Sequence, residues 1–177
     1  MIYPCEGVVE PRIGTRSLPE RWEFYTGRSP KTEFPTKQNL AQKGVVLVDD
    51  LCPLCKEWPE SRDHLFINCK LAIEVCTEIK KWWNVMMING NSLDDSYSRL
   101  FNQNDDNRKK AIKDVMWHAY LWSMWKGRNA MIFSNEAFSP RQVATSIQRI
   151  AFLWLQNRSS FGKSLKWEDW CCNKTPL

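Results

Sequence analysis

The sequence lacks the features that mark membrane and secreted proteins. No stretch of its 177 residues approaches the roughly 18 to 20 uncharged apolar residues that span a bilayer. The first dozen residues lack the apolar core of a secretory signal, so we expect an intracellular protein, nuclear or cytoplasmic, with no membrane association. Seven glycines and nine prolines are too few for a collagen-like chain or a flexible linker.

Strong charge of one sign is also missing, which argues against a dedicated DNA-binding domain. The 25 basic and 20 acidic residues give a net charge of only +5, and residues 139–177 alone hold six basic and two acidic groups. This distribution favours weak, salt-sensitive contact with a polyanion. The ten tryptophans mostly stand at helical spacings, which indicates core packing, with base stacking as the alternative.

Cysteine and histidine carry the main chemical signal. Four of these residues lie within eighteen positions, as Cys52-x2-Cys55-x8-His64-x4-Cys69. Two cysteines separated by two residues can turn their sulfur atoms to one point, and Pro53 favours such a turn. A histidine and a cysteine from the opposite side then complete a tetrahedron around Zn²⁺.

Three thiolates and one imidazole leave no open coordination position, so the pattern predicts a structural zinc site without catalysis. The alternatives are a chance cluster in a buried turn and an iron–sulfur cluster, which the histidine disfavours. Asp63 is either an orienting partner of the His64 imidazole or a solvated charge. We expect Cys76 to pack in the core, and Cys171 and Cys172 to be free thiols.

Capping residues predict where the first elements lie. Residues 1–33 show no sustained period, so we expect an irregular leader. Thr36 is the expected N-cap of a short helix that ends before Gly44, because glycine adopts the left-handed conformation common after a helix. The valine-rich residues 45–48 form a β-prone run.

Apolar residues that recur at helical spacing after Cys69 predict a helix that Gly90 ends. Ser92 is expected to begin a short helix, and Ser139, which precedes a proline, to begin another. Between them, residues 106–133 predict a long helix that is apolar nearly all round its middle. Because such a helix needs to be enclosed, it indicates a missing partner surface.

These signals together predict a mainly α fold, in which a small zinc-stapled loop module precedes a few packed helices. We place the irregular leader at residues 1–33, a zinc-binding domain at 34–89 and a helical C-terminal region at 90–177. The tail, residues 164–177, is expected to dock loosely.

Several segments resemble a known family. "FPTKQNL", the downstream "LCPLC", "ESRDHLFINC" and a helix ending in "WW" are similar to the zinc-binding domain of plant non-LTR retrotransposon reverse transcriptases. "LWSMWKGRNAMIF" looks like the helix that follows this domain. The resemblance covers roughly residues 34–177, with no family match over residues 1–33.

The resemblance implies a limited function. In such polyproteins an endonuclease and a reverse transcriptase precede this domain, which is thought to assist the handling of RNA or DNA. The polymerase motif Tyr-x-Asp-Asp is absent from this chain, so we expect no catalysis. The implied cofactor is structural Zn²⁺, and the ligands that match the family are Cys52, Cys55, His64 and Cys69.

Two functions are open at this point. The first is a zinc module that binds RNA or DNA through basic residues: Lys56, Arg62, Lys70, Arg108, Lys109 and Lys110. Each of these is otherwise a solvated surface charge, and Trp58 is either a stacking platform or a packing residue. The alternative is a protein-interaction module whose Trp-rich helix, residues 116–125, docks on a partner such as the polymerase domain of a parent element.

Overall fold

A computed structural model describes residues 34–172 apart from 84, 86, 89, 102 and 103, and the predicted irregular leader lies outside these residues. The described α-helices are Lys37–Gln42 (α1), Lys70–Lys80 (α2), Leu93–Leu100 (α3), Asn107–Phe133 (α4), Pro140–Arg158 (α5) and Trp167–Cys171 (α6). A π-helical turn, His64–Asn68, precedes α2, and a 3₁₀ turn, Gly162–Ser164, precedes α6. The prediction of a mainly α fold is confirmed.

Most of these helices begin where the capping signals place them. Thr36, Ser92 and Ser139 are the N-caps of α1, α3 and α5, and each side chain accepts a hydrogen bond from the amide three residues on. Asp106 caps α4 in the same way. Gly44, just beyond the end of α1, has a φ of +83°, a conformation that glycine adopts without steric cost.

Helix α2 ends earlier than predicted. It stops at Lys80, so Gly90 is not its terminator. The amides of Lys81 and Trp82 donate to carbonyls three residues back, which tightens the chain into a turn as helix ends commonly do. Trp83 still reaches the core from this turn, which explains why its spacing resembled a continuation of the helix.

The β-prone run at residues 45–48 forms no strand. Val46 and Val48 are fully exposed, and the pairing in this region is an isolated antiparallel bridge between Leu51 and Pro59. No strand occurs elsewhere in the described residues either. The prediction failed because β-branched residues form a strand only where a neighbouring segment pairs with them.

The long helix α4 is enclosed by the chain itself. Helix α5 packs against both α4 and α2, and the core between them buries Met116, Tyr120 and Met124 completely. The expected missing partner surface is therefore wrong for the middle of this helix. In the part of the chain that the structure describes, no helix combines the length and apolarity needed to cross a membrane.

The tail docks tightly as far as residue 172, contrary to expectation. Trp167 and Trp170 are buried, and the Trp167 ring centroid lies 5.0 Å from that of Phe152 on α5. The indole N–H of Trp170 donates to the carbonyl of Gln148 at 2.9 Å. The end of the tail, residues 173–177, lies outside the described range.

The described cysteines outside the cluster lie in α2 and in the tail, and the structure agrees with the expectations for two of these three. Cys171 is a free thiol as expected, whereas Cys172 is disulfide-bonded. Cys76 is a free thiol that packs against the core, and its burial raises its pKa to about 12. At neutral pH it is therefore an inert, protonated packing group.

Candidate metal centre

The first half of the Cys/His cluster is a tight local turn that carries Cys52 and Cys55. The amide of Cys52 donates to the carbonyl of Trp58 at 2.7 Å, and the amide of Lys56 donates to the carbonyl of Cys52 at 2.8 Å. Lys56 has a φ of 60°, a left-handed conformation that reverses the chain directly after the second cysteine. Both thiols are buried inside this turn.

The second half is the π-helical turn that carries His64, followed by Cys69. In an α-helix, two residues five apart would face directions about 140° apart. Here the amide of Cys69 donates to the carbonyl of His64 at 2.7 Å, the i→i+5 bond of a π-helix. This bond wraps the extra residue into the turn, so that both side chains face the same side.

The two halves bring all four predicted ligands together. One donor atom from each of Cys52, Cys55, His64 and Cys69 lies within 4.8 Å of the other three. The Cys55 sulfur lies 3.3 Å from Nε2 of His64. Sulfur atoms on a tetrahedral zinc ion are about 3.8 Å apart, so small side-chain adjustments allow one ion to bind all four.

The pKa shifts move Cys69 and His64 towards the deprotonated form that a metal requires, and Cys52 away from it. A hydrogen bond between the thiols of Cys52 and Cys69 raises the pKa of Cys52 and lowers that of Cys69. Burial lowers the pKa of His64, which favours the neutral imidazole that a metal requires. The donor set, three sulfurs and one imidazole nitrogen in a buried site, is the chemistry of a structural zinc ion.

Asp63 is partly exposed and makes contacts that neither of its two expected roles includes. Its Oδ1 accepts a hydrogen bond from the amide of Leu93 at 2.9 Å, at the first turn of α3. The same oxygen lies 3.5 Å from the guanidinium of Arg62. Asp63 therefore joins α3 to residues 52–69, which we call the metal loop. Its neighbour Arg62 strengthens this link through a 2.9 Å contact with Asp94.

The candidate nucleic-acid contacts near the metal are largely engaged with acids. Lys70 pairs with Glu57, and Arg62 pairs with Asp94. Lys56 is exposed and lowers the pKa of Asp49, although Lys37 is the main cause of that shift. The positive charge around the metal loop is therefore largely balanced by acidic neighbours.

The candidates at the start of α4 have different surroundings. Arg108 and Lys110 are exposed and Lys109 is half-buried, and none of the three forms an ion pair with another described residue. The guanidinium of Arg108 lies 5.2 Å from the centroid of the Phe161 ring. This contact places the first turn of α4 beside the 3₁₀ turn that carries Lys163, and so joins two basic segments that are distant in sequence.

The structure contains a buried ion pair beneath the metal loop that the sequence did not predict. Arg128 of α4 donates to both carboxylate oxygens of Glu60, each at 2.8 Å, and the two residues are 5% and 0% exposed. Glu60 also accepts the amide of Lys37 at the start of α1. The partners are 68 positions apart, so no local spacing could indicate the pair.

The fold and the cluster together describe a helical protein with a three-cysteine, one-histidine site that suits a zinc ion. Residues 10–75 match the family described as zinc-binding in reverse transcriptase, a segment just over a third of the chain. The resemblance to reverse transcriptase zinc-binding domains inferred from the sequence is confirmed over this segment. No curated protein and no solved structure matches the chain.

The matched segment has different limits from the expected family resemblance. The match begins at residue 10, inside the leader for which no family similarity was expected, and it ends at residue 75, within α2. All four cluster residues lie inside it. The match is to the zinc-binding domain alone, with no polymerase domain.

Proposed function

We propose that this protein is a structural zinc module that associates with RNA or DNA and has no catalysis of its own. Cys52, Cys55, His64 and Cys69 would hold the ion. The observation that carries this proposal is the convergence of these four donor atoms within 4.8 Å, inside a segment that matches reverse transcriptase zinc-binding domains. The ion would stabilise the loop, because four protein ligands leave no position for a reacting water molecule.

The surface that we assign to nucleic acid is the basic end of α4. Lys109 and Lys110 pair with no described acid, and the Arg108–Phe161 contact brings Lys163 to the same side of the molecule. Phosphate binding needs cations that are not already neutralised by neighbouring carboxylates. Lys70 and Arg62 are paired in this way, so we expect them to contribute less.

The alternative, docking of the Trp-rich helix on another protein, gains less support from the geometry. Trp117 is buried, and Trp125 packs against Phe34 and lies under the guanidinium of Arg128. A docking helix would need to expose these rings. The polymerase domain of a parent element as a partner stays a prediction.

The zinc part of the proposal is tested by the metal content of the purified full chain. We expect about one zinc ion per chain, lost in a Cys52→Ser, Cys55→Ser double variant. A Cys171→Ser variant is the matched control, because Cys171 is a free thiol outside the cluster. Equal zinc content in the double variant and the control would reject the assigned ligands.

The nucleic-acid part is tested by fluorescence anisotropy with labelled single-stranded RNA, single-stranded DNA and duplex DNA at several salt concentrations. We expect binding that weakens with salt and a shallower salt slope in an Arg108→Ala, Lys109→Ala, Lys110→Ala variant. The control removes the same charge at Lys80, Lys126 and Arg141, which are all exposed. No binding by the zinc-loaded protein, or equal losses in both variants, would contradict the proposal.

A further inference from the structure

Tyr120 connects the long helix to the metal loop. Its side chain is completely buried, and its hydroxyl donates a hydrogen bond to the carbonyl of Phe66 at 2.5 Å. The two residues are 54 positions apart. Phe66 lies in the π-helical turn between His64 and Cys69, so this contact reaches the backbone that separates two of the four cluster residues.

The Phe66 carbonyl needs such a donor because the helix ends there. The chain leaves helical geometry at Cys69, whose ψ is 132°, and the last carbonyls of a helix have no partner further along the chain. A buried carbonyl without a hydrogen bond would destabilise this turn. The phenol of Tyr120 satisfies it and thereby favours the π-helical form over a regular α-helical turn.

The same hydroxyl also lies near the element that follows the metal loop. It is close enough to the thiol of Cys76, on α2, for each group to shift the other's pKa. Tyr120 thus lies close to the chain before Cys69 and to the chain after it. A displacement of either element would move the sulfur of Cys69 relative to Nε2 of His64.

We propose that Tyr120 is a positioning residue for the zinc site: its hydroxyl holds the π-helical turn in the form that turns His64 and Cys69 to one ion. Tyr120 lies beyond residues 10–75, so the site is completed by a helix outside the family segment. This inference rests on the zinc binding proposed above and is independent of nucleic-acid association.

The test compares Tyr120→Phe with Tyr97→Phe in the full chain. The control removes a phenol hydroxyl from a second tyrosine. The rings of both tyrosines pack against Trp117 on α4. Zinc affinity is measured by competition with a chromogenic chelator, and Co²⁺ is substituted to record the ligand-field spectrum. We expect Tyr120→Phe to weaken zinc binding about 10- to 100-fold and to shift the Co²⁺ bands, because supporting hydrogen bonds orient metal ligands. Tyr97→Phe should leave both readouts unchanged.

The outcomes separate this inference from the proposed function. If the wild-type chain binds no zinc, the proposed function fails. If it binds zinc and Tyr120→Phe retains the wild-type affinity and Co²⁺ spectrum, the role of Tyr120 is overturned while zinc binding stands. A loss of affinity equal in both variants would also overturn it, since the effect would then reflect general loosening of the core.

A second measurement keeps the inference testable if Tyr120→Phe does not fold. The other three of the four tyrosines are changed to phenylalanine, and the chain is labelled with 3-fluorotyrosine, which leaves one fluorine probe at residue 120. We expect its ¹⁹F resonance to shift when zinc is added, because the hydroxyl is bonded to the turn that carries two ligands. A resonance that does not move on zinc binding would contradict the proposal.

Discussion

The two halves of the metal cluster are held in different ways. The Cys52–Cys55 turn is fixed by hydrogen bonds within residues 51–59, and its outer side is solvent-exposed, with Trp58 64% accessible. The His64–Cys69 turn buries Leu65, Phe66 and Ile67, and its Phe66 carbonyl accepts a hydrogen bond from Tyr120, 54 positions away. One half is local and the other is shaped by tertiary contacts.

This difference indicates how the site assembles. A local turn can form with little help from the rest of the chain, but its exposed residues 56–59 leave it more dependent on the metal for order. A buried turn keeps its shape through packing, and its ligands are placed before the ion arrives. We therefore expect the metal to order the first half more than the second.

The largest expected effect follows from removal of the metal. Structural zinc contributes about 10–16 kcal/mol of apparent binding free energy at neutral pH, so chelation should destabilise the loop strongly. In hydrogen-exchange mass spectrometry, residues 51–59 should lose protection, residues 64–69 should lose less, and α4 should keep most of its protection. An equal loss of protection in residues 51–59 and 64–69 would contradict the expected difference between the two halves.

The next largest effect is expected from Arg128→Met, which leaves the carboxylate of Glu60 buried without its partner. Breaking a buried ion pair costs about 3–5 kcal/mol, and urea unfolding of the zinc-loaded protein should show a loss of this size. A Glu60→Gln, Arg128→Met double variant is the control and should recover part of the stability. The Co²⁺ spectrum should stay nearly the same, because neither side chain is hydrogen-bonded to a residue of the cluster. A loss well below 1 kcal/mol would show that the Glu60–Arg128 ion pair contributes little to the free energy of unfolding.

A smaller effect is expected at the link between the metal loop and α3. Asp63→Ala removes the acceptor for the Leu93 amide, and loss of a helix cap costs about 1 kcal/mol. Ser92→Ala, which removes the N-cap of the same helix, should give a similar loss in urea unfolding. Zinc affinity should be unchanged in both. Weaker zinc binding in Asp63→Ala alone would restore its role as an orienting partner of His64.

The smallest effect is expected from Lys70→Gln. The hydrogen bond with the exposed Glu57 is the main cause of the raised pKa of Lys70, and the negative charges of the Cys55 and Cys69 thiolates contribute less. Water and salt screen such exposed charges, so stability should not change measurably. Chelator competition should show at most a slight loss of zinc affinity, and this loss should vanish at high salt. A loss that persists at high salt would place the lysine closer to the metal's charge than we infer.

Much of the local structure was predictable because it depends on neighbours in sequence. Thr36, Ser92 and Ser139 cap helices where their spacing indicated, since a capping hydrogen bond spans only three residues. The predicted helix end at Gly90 was wrong. Trp82 and Trp83 pack in or against the core although they lie in a turn, and the spacing of apolar residues cannot distinguish this turn from a helix. The strand prediction for Val46 and Val48 was wrong because no segment among the described residues pairs with them.

The sequence by itself determined the metal chemistry: four donor residues at spacings that short turns can fold around one ion, and the family that this pattern resembles. Only the tertiary structure decided how the second turn takes its π-helical form, which carboxylate is buried against Arg128, and which basic residues keep unpaired charge. The physical reason is the separation along the sequence of the residues that interact. Donor type and turn geometry are set within a few residues, whereas the contacts of Tyr120 and Glu60 join positions that only packing brings together.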